Sequence, residues 1–267
     1  MISIITPTFN SSNTITKNVQ SVISQNYKEF EHIIVDNSST DDTIGKIETL
    51  YKKNGIIEKL KIISEKDSGI SDAFNKGIKA AKGEIIAVLN GDDEYFDNSI
   101  FERVIKAFNN DNILIVYGDV VFIDSFYGSN RRNPINCPVT GAILYNHPSM
   151  FIRKSVYNQL GLYNESFRIA MDTEFFYRLH KSFKDVNNIS SYIDEIPMAI
   201  MNAGGASWNQ ELKGIKEMKS ALILHEFWNF TAKRVYFERI FRTKVKKYLT
   251  SLNLNFIVEL WRKLKWR

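Results

Sequence analysis

The sequence contains a single cysteine and no long apolar run, and each shortage excludes a class of protein. Because Cys137 is alone among 267 residues, the fold has no internal disulfide framework and suits a reducing compartment. No window approaches the roughly 20 apolar residues of a membrane-spanning helix. The N-terminus lacks the basic flank and apolar stretch of a secretory signal. With 44% hydrophobic residues, we expect a globular protein that does not cross a membrane.

Glycine-rich phosphate loops are also missing. Neither the GxGxxG pattern of dinucleotide-binding proteins nor the GxxxxGK[ST] pattern of P-loop proteins occurs in the sequence. Internal repeats and low-complexity tracts are absent as well. Ordinary dinucleotide-dependent and P-loop functions are therefore excluded.

The first 90 residues alternate short apolar strands with helices. The predicted strands are SIITPTF, which stops at Pro7, then EHIIVD, LKIIS and EIIAVL. The predicted helices are NSSNTITKNVQSVISQ, TDDTIGKIETLYKK and GISDAFNKGIKAAKG, the last with Gly83 as its C-cap. This alternation predicts parallel βαβ units and a doubly wound α/β sheet, whose ligands bind beyond the carboxyl ends of the strands.

Carboxylates recur in the polar loops at that edge of the sheet. The fourth predicted strand ends in Asn90-Gly91-Asp92-Asp93. A site rich in acceptors and poor in phosphate-cradling glycines binds an anionic diphosphate only through a divalent cation. Asp92 and Asp93 are therefore predicted to hold Mg²⁺ or Mn²⁺. The alternative is that Asp92 caps the next turn or helix while Asp93 is solvated.

The second half is expected to form a wall of the site. VYGDVVFID predicts two more strands around Gly118, and the irregular stretch from Arg131 to Tyr157 follows it. Arg131 and Arg132 either engage a pyrophosphate or are solvated. His147 either contacts the acceptor or is structural. Asp172 opens a stretch with a helical apolar face, where an N-cap role is the simpler reading.

The net charge of +5 hides a basic C-terminal segment. From Lys213 onward the chain carries 14 Lys or Arg and 4 Asp or Glu, a net charge of +10 that leaves −5 for the rest. Aromatic and basic residues alternate there at the spacing of amphipathic helices, including Trp261 and Trp266. Such helices either lie at an anionic bilayer surface or pack back onto the domain. Nucleic acid is disfavoured because the basic residues form no known binding motif.

Several blocks of the sequence resemble the family 2 glycosyltransferases. They are SIITPTFN, HIIVDNSSTDDT, EKDSGISDAFNKGIKAAKGEIIAVLNGDDEYF and HPSMFIRKSVYNQLGLYNESFRIAMDTEFFYRL. The resemblance covers residues 2 to 200, approximately. The resemblance implies a GT-A fold with a mixed, mainly parallel sheet. Residues 1–95 would form the nucleotide-sugar-binding half of a 1–205 domain and residues 96–205 the acceptor half. Residues 206–267 would form a basic amphipathic helical extension.

The resemblance also implies which residues bind the nucleotide. Thr6, Pro7 and Thr8 would line the nucleotide pocket. Asp36 would accept a hydrogen bond from the uracil imide, unless it is a turn aspartate that bonds its own loop. Asp67 would lie beside the nucleotide, or would cap the helix that starts near Gly69.

Further positions match the family less directly. Asn75 and Lys76 would face either the donor or water, and Lys76 is the weaker candidate. Asp92 and Asp93 would correspond to the metal and diphosphate motif of the family, with Asp92 also touching the donor. Many relatives have an aspartate where this chain has Asn90, which removes one charge from the motif.

The resemblance implies a catalytic role for Asp172, with Glu174 as a nearby alternative. Together with Mn²⁺ or Mg²⁺, it suggests an inverting enzyme that moves glucose or galactose from a UDP-sugar and forms a β-linkage. The implied acceptor is GlcNAc- or GalNAc-diphospho-undecaprenol in bacterial O-antigen synthesis. The implied location is the bacterial cytoplasm, peripheral at the inner face of the inner membrane.

Two other functions remain open from the sequence. A sugar-1-phosphate nucleotidyltransferase also combines an α/β nucleotide fold with Mg²⁺, although its glycine-rich basic N-terminal loop is absent from TPTFNSSNT. A noncatalytic carbohydrate- or membrane-binding component of an assembly complex is the second alternative.

Overall fold

The computed structural model describes residues 1–124, 128–134, 145–205, 210–254 and 256–258. Cys137, Trp261 and Trp266 therefore lie outside the described residues. The strands are β1 (Ile2–Thr8), β2 (Phe30–Asp36), β3 (Leu60–Ser64), β4 (Ile85–Val88), β5 (Glu94–Tyr95), β6 (Ile115–Gly118), β7 (Val120–Asp124), β8 (Gly128–Arg132), β9 (Phe151–Arg153), β10 (Ser190–Ile193) and β11 (Ala199–Asn202). The α-helices are α1 (Ile15–Ile23), α2 (Thr43–Lys53), α3 (Ile70–Ala80), α4 (Ile100–Ala107), α5 (Lys154–Leu160), α6 (Met171–Ser182), α7 (Glu211–Leu224) and α8 (Phe230–Ser251).

The main sheet within these ranges has seven strands in the order β10-β6-β9-β4-β1-β2-β3. Neighbouring strands among β3, β2, β1 and β4 pair in parallel, as do β6 and β10, whereas β9 is antiparallel to both of its neighbours. The predicted alternation of four strands and three helices in the first 90 residues is confirmed. The α/β class and the mixed, mainly parallel sheet are confirmed with it.

The first strand runs further than the sequence predicts. It continues through Pro7 to Thr8, in register with Val35 and Asp36 of β2. Beyond Ile5, β1 has no partner on the β4 side, because β4 pairs only as far as that residue. The backbone of Pro7 faces this open side, so its missing N–H leaves no ladder bond unmade.

The prediction that Gly83 caps α3 is wrong. The helix ends at Ala80, and the next residue has extended backbone. Gly83 instead donates its N–H to Ser3 Oγ over 2.8 Å. A Cβ on Gly83 would lie 2.6 Å from that oxygen and 2.8 Å from the carbonyl oxygen of Met1. Close approach to β1, rather than a positive φ, explains the glycine.

The two strands predicted around Gly118 are present but belong to different sheets. Strand β6 joins the main sheet, whereas β7 joins a four-stranded sheet in the order β5-β11-β7-β8. In this small sheet, β5 directly follows the turn after β4, and β11 is the last strand before the C-terminal helices.

The helices α7 and α8 pack on the rest of the protein. Ile215, Met218 and Leu222 of α7 are buried in the same apolar core as Phe175 and Phe176 of α6. The other face of α8 is exposed, and its exposed apolar residues are Phe230, Phe237, Phe241, Val245 and Tyr248. The alternative in which the basic segment packs back onto the domain is therefore confirmed for α7, and the bilayer-surface alternative stays a prediction. No helix in the described part of the chain is long and apolar enough to span a bilayer.

Candidate active site

A cavity of about 1010 Å³ opens beyond the carboxyl ends of the first four strands. The loop after each of β1, β2, β3 and β4 contributes to its wall, as expected for a doubly wound sheet. Among the residues predicted from the sequence, those that line it are Pro7, Thr8, Asp67, Asp92, Asp93, Arg132, His147 and Asp172. The cavity therefore brings most of the predicted site together.

The acidic turn after β4 is held by neighbouring amides. Asn18 of α1 donates from Nδ2 to the carbonyl oxygens of Asn90 at 2.8 Å and Asp93 at 3.0 Å. Asn202 donates from Nδ2 to the carbonyl oxygen of Asp92 at 2.7 Å. These bonds hold the backbone of the turn, and the Asp93 carboxylate itself accepts from Asn90 Nδ2 at 3.2 Å.

The two carboxylates of the turn lie close together, with Asp93 buried and Asp92 partly buried. Asp93 is only 3% exposed, so the alternative that it is solvated is wrong. Burial raises the pKa of Asp92, and burial followed by the charge of Asp92 raises the pKa of Asp93 well above its usual value. Among the described residues, neither forms an ion pair with a lysine or arginine. Unmatched, desolvated negative charges favour a bound cation.

Two neutral oxygens next to these carboxylates lack hydrogen-bond partners in the described structure. They are Thr8 Oγ1 and Asn90 Oδ1, and both are buried in the wall of the cavity. Hydroxyl, amide and carboxylate oxygens are the ligands that Mg²⁺ and Mn²⁺ prefer. No group of three or more His, Cys, Asp or Glu suited to a metal occurs in the described ranges. The donor set therefore fits a divalent cation that also takes ligands from a diphosphate.

Two of the predicted nucleotide residues do not reach the cavity. Thr6 is fully buried, and its Oγ1 lies 2.8 Å from His32 Nε2. Asp36 is fully buried and accepts from the backbone N–H of Ser39 at 3.0 Å and from Ser64 Oγ at 2.7 Å. The structure thus matches the alternative in which Asp36 bonds its own loop.

Asp67 is not the N-cap residue of α3, which is Gly69, and its predicted nucleotide contact stays a prediction. It lines the cavity, and its Oδ1 accepts the backbone N–H of Gly69 at 2.9 Å just before α3 begins. Asn37 Oδ1 in turn accepts the backbone N–H of Asp67 at 2.9 Å. The loops after β2 and β3 are thereby fixed to each other at the edge of the cavity.

The predicted donor contact of Asn75 conflicts with its position. Its side chain is buried, donating to the carbonyl oxygen of Tyr163 at 2.9 Å and accepting the N–H of that residue at 2.9 Å. These bonds tie α3 to the turn before α6, so Asn75 faces neither the donor nor water. Lys76 pairs with Glu65 at 2.9 Å on the surface.

Helix α6 separates the two candidates for the catalytic carboxylate. Asp172 is its second residue and lines the cavity, while Ala170 occupies the N-cap position, so the N-cap reading of Asp172 is wrong. Glu174 is 2% exposed and is paired with Arg178 at 3.0 Å and His225 at 2.8 Å. These bonds hold the Glu174 carboxylate in the protein interior. Of the two candidates, Asp172 is the one whose position in the cavity wall allows contact with a substrate.

His147 and the arginine pair are placed by aromatic and ionic contacts. His147 lines the cavity and stacks on Phe74 with a centroid distance of 5.2 Å. Burial lowers the pKa of His147, and the charge of Asp172 opposes that shift. Arg131 is bound by buried Asp119, whereas Arg132 lies over the Phe122 ring, 3.4 Å from its centroid, in the cavity wall.

Sequence reasoning missed the contribution of the C-terminal helices to this site. Glu211 of α7, with Arg239 and Lys246 of α8, line the cavity. Glu217 of α7 bonds the backbone just before α6. No motif singles out these residues, since they are a few among the many charges of a basic segment, and only the packing of α7 and α8 selects them.

Comparison with known proteins agrees with the fold. The family described as glycosyl transferase family 2 matches residues 3–179. The PGL/p-HBAD biosynthesis glycosyltransferase of Mycobacterium tuberculosis is 27% identical over 213 residues, which cover 78% of this chain and 79% of that protein. Chondroitin synthase of Escherichia coli is 29% identical over 198 residues, which cover 71% of this chain but 28% of that protein.

Solved structures give the same fold. S. aureus TarS 1–349 in complex with UDP-GlcNAc has a TM-score of 0.64 at 19% identity, over 84% of this chain and 65% of that chain. The chain spans 39% of a longer TarS structure. A mannosyltransferase from Pyrobaculum calidifontis, in complex with GDP-Man and Mn²⁺, has a TM-score of 0.63 at 12% identity, over 100% of this chain and 80% of that chain. The protein is a glycosyltransferase with a GT-A fold, and it belongs to glycosyl transferase family 2.

Proposed function

We propose that the protein transfers a hexose, glucose or galactose in the first instance, from a UDP-sugar to a saccharide carried on a lipid diphosphate. The observation that carries the proposal is one cavity lined by the Asp92–Asp93 turn and by Asp172. A glycosyl transfer with inversion needs these two functions in one space, one for the leaving diphosphate and one for the acceptor hydroxyl.

The turn after β4 would bind the donor diphosphate through Mg²⁺ or Mn²⁺. Asp92 and Asp93, with Asn90 Oδ1 and Thr8 Oγ1 beside them, would hold the cation. When bound, such a cation neutralises the charge that accumulates on the departing nucleoside diphosphate. Pro7, Thr8 and Asp67 would contact the nucleotide from the neighbouring strand ends. Asp36 would support the loop after β2 through its bonds to Ser39 and Ser64.

Asp172 would act as the general base. It is an acidic residue in the first turn of α6, and it lines the cavity. An ionised carboxylate in reach of the acceptor hydroxyl can take its proton as the hydroxyl attacks the anomeric carbon. A single displacement on the face opposite the leaving group converts an α-linked UDP-sugar into a β-glycoside.

The choice of donor draws on known proteins of the same fold. The TarS structure contains UDP-GlcNAc, and the archaeal mannosyltransferase contains GDP-Man with Mn²⁺. Both support a nucleotide-sugar donor for this chain, and the second also supports a divalent cation. Glucose and galactose remain our choice among UDP-hexoses.

The choice of acceptor draws on the C-terminal helices. Helix α8 exposes aromatic side chains and carries several basic residues, an arrangement suited to an anionic bilayer surface. GlcNAc- or GalNAc-diphospho-undecaprenol would present its sugar at such a surface. The enzyme would then work peripherally at the cytoplasmic face of the bacterial inner membrane, in assembly of O-antigen or a related surface polysaccharide.

The decisive experiment screens UDP-hexoses with Mn²⁺ against synthetic GlcNAc- and GalNAc-diphospholipids, followed by NMR of the product. We expect transfer that EDTA abolishes and a β-configuration at the new linkage. An α-linked product would refute the single displacement. Transfer to other acceptors but to no diphospholipid-linked amino sugar would refute the acceptor.

A further inference from the structure

The charges on α8 point to a ligand that the family comparison does not cover. This helix lies outside the matched residues 3–179, yet Arg239 and Lys246 line the same cavity as Asp172. We propose that Arg239 and Lys246 form a binding site for a phosphate or diphosphate group of the acceptor. The inference rests on the proposed function, because it assigns a chemical class to the acceptor of that reaction.

The two cations share one face of the helix. Arg239, Thr243 and Lys246 are spaced by four and three residues, so they lie within about 60° of one another around the helix axis. Thr243 is 4% exposed and donates to Glu211 Oε1 of α7 at 3.1 Å. This face is therefore turned towards α7 and the cavity rather than towards solvent.

The electrostatics of this face favour an added anion. Lys246 and Thr243 both bond Glu211, and the charge of the same carboxylate acts on Arg239. Arg239 Nη1 lies 3.0 Å from Met218 Sδ, a weak acceptor. Burial lowers the pKa of Arg239, which reports the same desolvation. A desolvated guanidinium has more to gain from a phosphate than one in water, and its planar fork matches phosphate oxygens.

The position of these cations assigns the anion to the acceptor rather than to the donor. Helix α7 packs on the segment before α6, where Glu217 bonds the backbone of residues 168–170. Arg239 contacts α7, which places it on the Asp172 side of the cavity.

The outer face of α8 suggests where that phosphate comes from. Phe237, Phe241 and Tyr248 are 64%, 69% and 65% exposed. At 100° per residue they lie about 160° to 200° from Arg239 around the axis. One helix thus offers cations to the cavity and aromatic rings to the outside. In a lipid-linked phosphate, the phosphate would bind the cations on the cavity face of α8, and the bilayer that holds the lipid would contact the aromatic rings on the outer face.

Calorimetric titration of inorganic pyrophosphate in EDTA tests the site without the donor metal. We expect wild-type protein to bind it and Arg239→Gln and Lys246→Gln to bind at least about fivefold more weakly, with Arg239→Lys intermediate. Lys247→Gln is the matched control, since Lys247 is the exposed neighbour of Lys246. Unchanged binding in Arg239→Gln and Lys246→Gln, or none in wild type, would overturn the proposal.

Two further arms separate the sources of phosphate and the two proposals. A soluble short-chain prenyl diphosphate that binds more tightly than pyrophosphate indicates a lipid-linked ligand, whereas equal affinity indicates a free phosphate compound and removes the lipid from the proposal. UDP with Mn²⁺ should bind wild type and all four variants equally. If the wild-type protein does not bind UDP with Mn²⁺, the proposed function is refuted. If it binds UDP but the variants bind pyrophosphate as tightly as wild type, this inference alone is refuted.

Discussion

Glu217 Oε2 lies 2.7 Å from the backbone nitrogen of Ile169, three residues before the candidate base Asp172. The same oxygen accepts the N–H groups of Arg168 and Ala170, each at 3.0 Å. One carboxylate of the C-terminal extension therefore fixes the approach to α6. Three N–H donors on a single anion give strong, charge-assisted bonds.

We expect Glu217→Gln to lower kcat about tenfold and to leave the KM for the UDP-sugar unchanged, because a neutral amide holds three donors less firmly and Asp172 loses its alignment. Steady-state kinetics over both substrates measures this. Glu226→Gln, at an exposed ion pair with Lys181, is the control and should have wild-type kinetics. An unchanged kcat in Glu217→Gln would show that this carboxylate has no positioning role.

Asp93→Asn should separate metal binding from stability. Metal-dependent turnover should fall at least about a hundredfold, because a hard carboxylate ligand is lost. Without metal, the free energy of unfolding at pH 7 should rise by about 1 to 3 kcal/mol, since the variant removes a buried charge that Asp92 repels. Urea unfolding in EDTA and calorimetry with Mn²⁺ give the two quantities. A variant that is less stable in EDTA would contradict this account.

Asp172→Asn and Glu174→Gln should fail in different ways. The first should lose about a thousandfold in kcat with little change in unfolding free energy, since Asp172 faces the cavity. The second should cost about 3 kcal/mol of stability, because buried Glu174 is shared between Arg178 and His225. Thermal unfolding, UDP binding and turnover of both variants provide the comparison. Undiminished turnover in folded Asp172→Asn would remove its assignment as base.

His32 should make the fold sensitive to acid. It is fully buried between Thr6 Oγ1 at 2.8 Å and Tyr51 Oη at 2.7 Å, and burial lowers its pKa to about 3. Because the unfolded chain takes up this proton first, the stabilisation is complete above pH 6.5 and is lost as pH falls from 6.5 towards 3. Between pH 6.5 and 5 the loss should be about 2 kcal/mol. Urea unfolding at several pH values should show a smaller slope in His32→Gln, and equal slopes would exclude this residue as the cause.

The exposed aromatic residues of α8 should govern binding to lipid. Replacing Phe237, Phe241 and Tyr248 together by serine should weaken co-sedimentation with anionic vesicles at least about tenfold, because apolar burial in the interface is lost. Phe96→Ser, at a 40% exposed phenylalanine of the catalytic domain, is the control. Equal sedimentation of the triple variant and wild type would argue against a membrane surface on this face.

The nucleotide-binding half was the most predictable part of the fold. Its strands are short, apolar and separated by capped helices, so local pattern and tertiary structure agree from Ile2 to Val88. The exceptions depend on neighbours that are distant in sequence. Pro7 stays in β1 because β4 has already ended beside it, and Gly83 is a glycine because β1 passes close to it.

The candidate site was predictable where a residue follows a strand or opens a helix. Asp92, Asp93 and Asp172 lie in such positions, and all three line the cavity. Asn75 was misplaced because helical spacing does not reveal that the backbone of Tyr163 satisfies its amide. The sequence did not single out Arg239, Lys246 and Glu217. Their positions depend on how α7 and α8 pack on the rest of the protein.

Asn18 gives the acidic turn a scaffold of its own. Its amide, on α1, donates to backbone carbonyl oxygens on both sides of the carboxylates, so we expect the turn to keep its shape when a ligand binds. Binding of the donor would then cost little conformational entropy in this loop. Because Asn18 bonds only the backbone of the turn, we expect substitutions at positions 92 and 93 to leave the backbone in place. Such substitutions could then change the preference between magnesium and manganese.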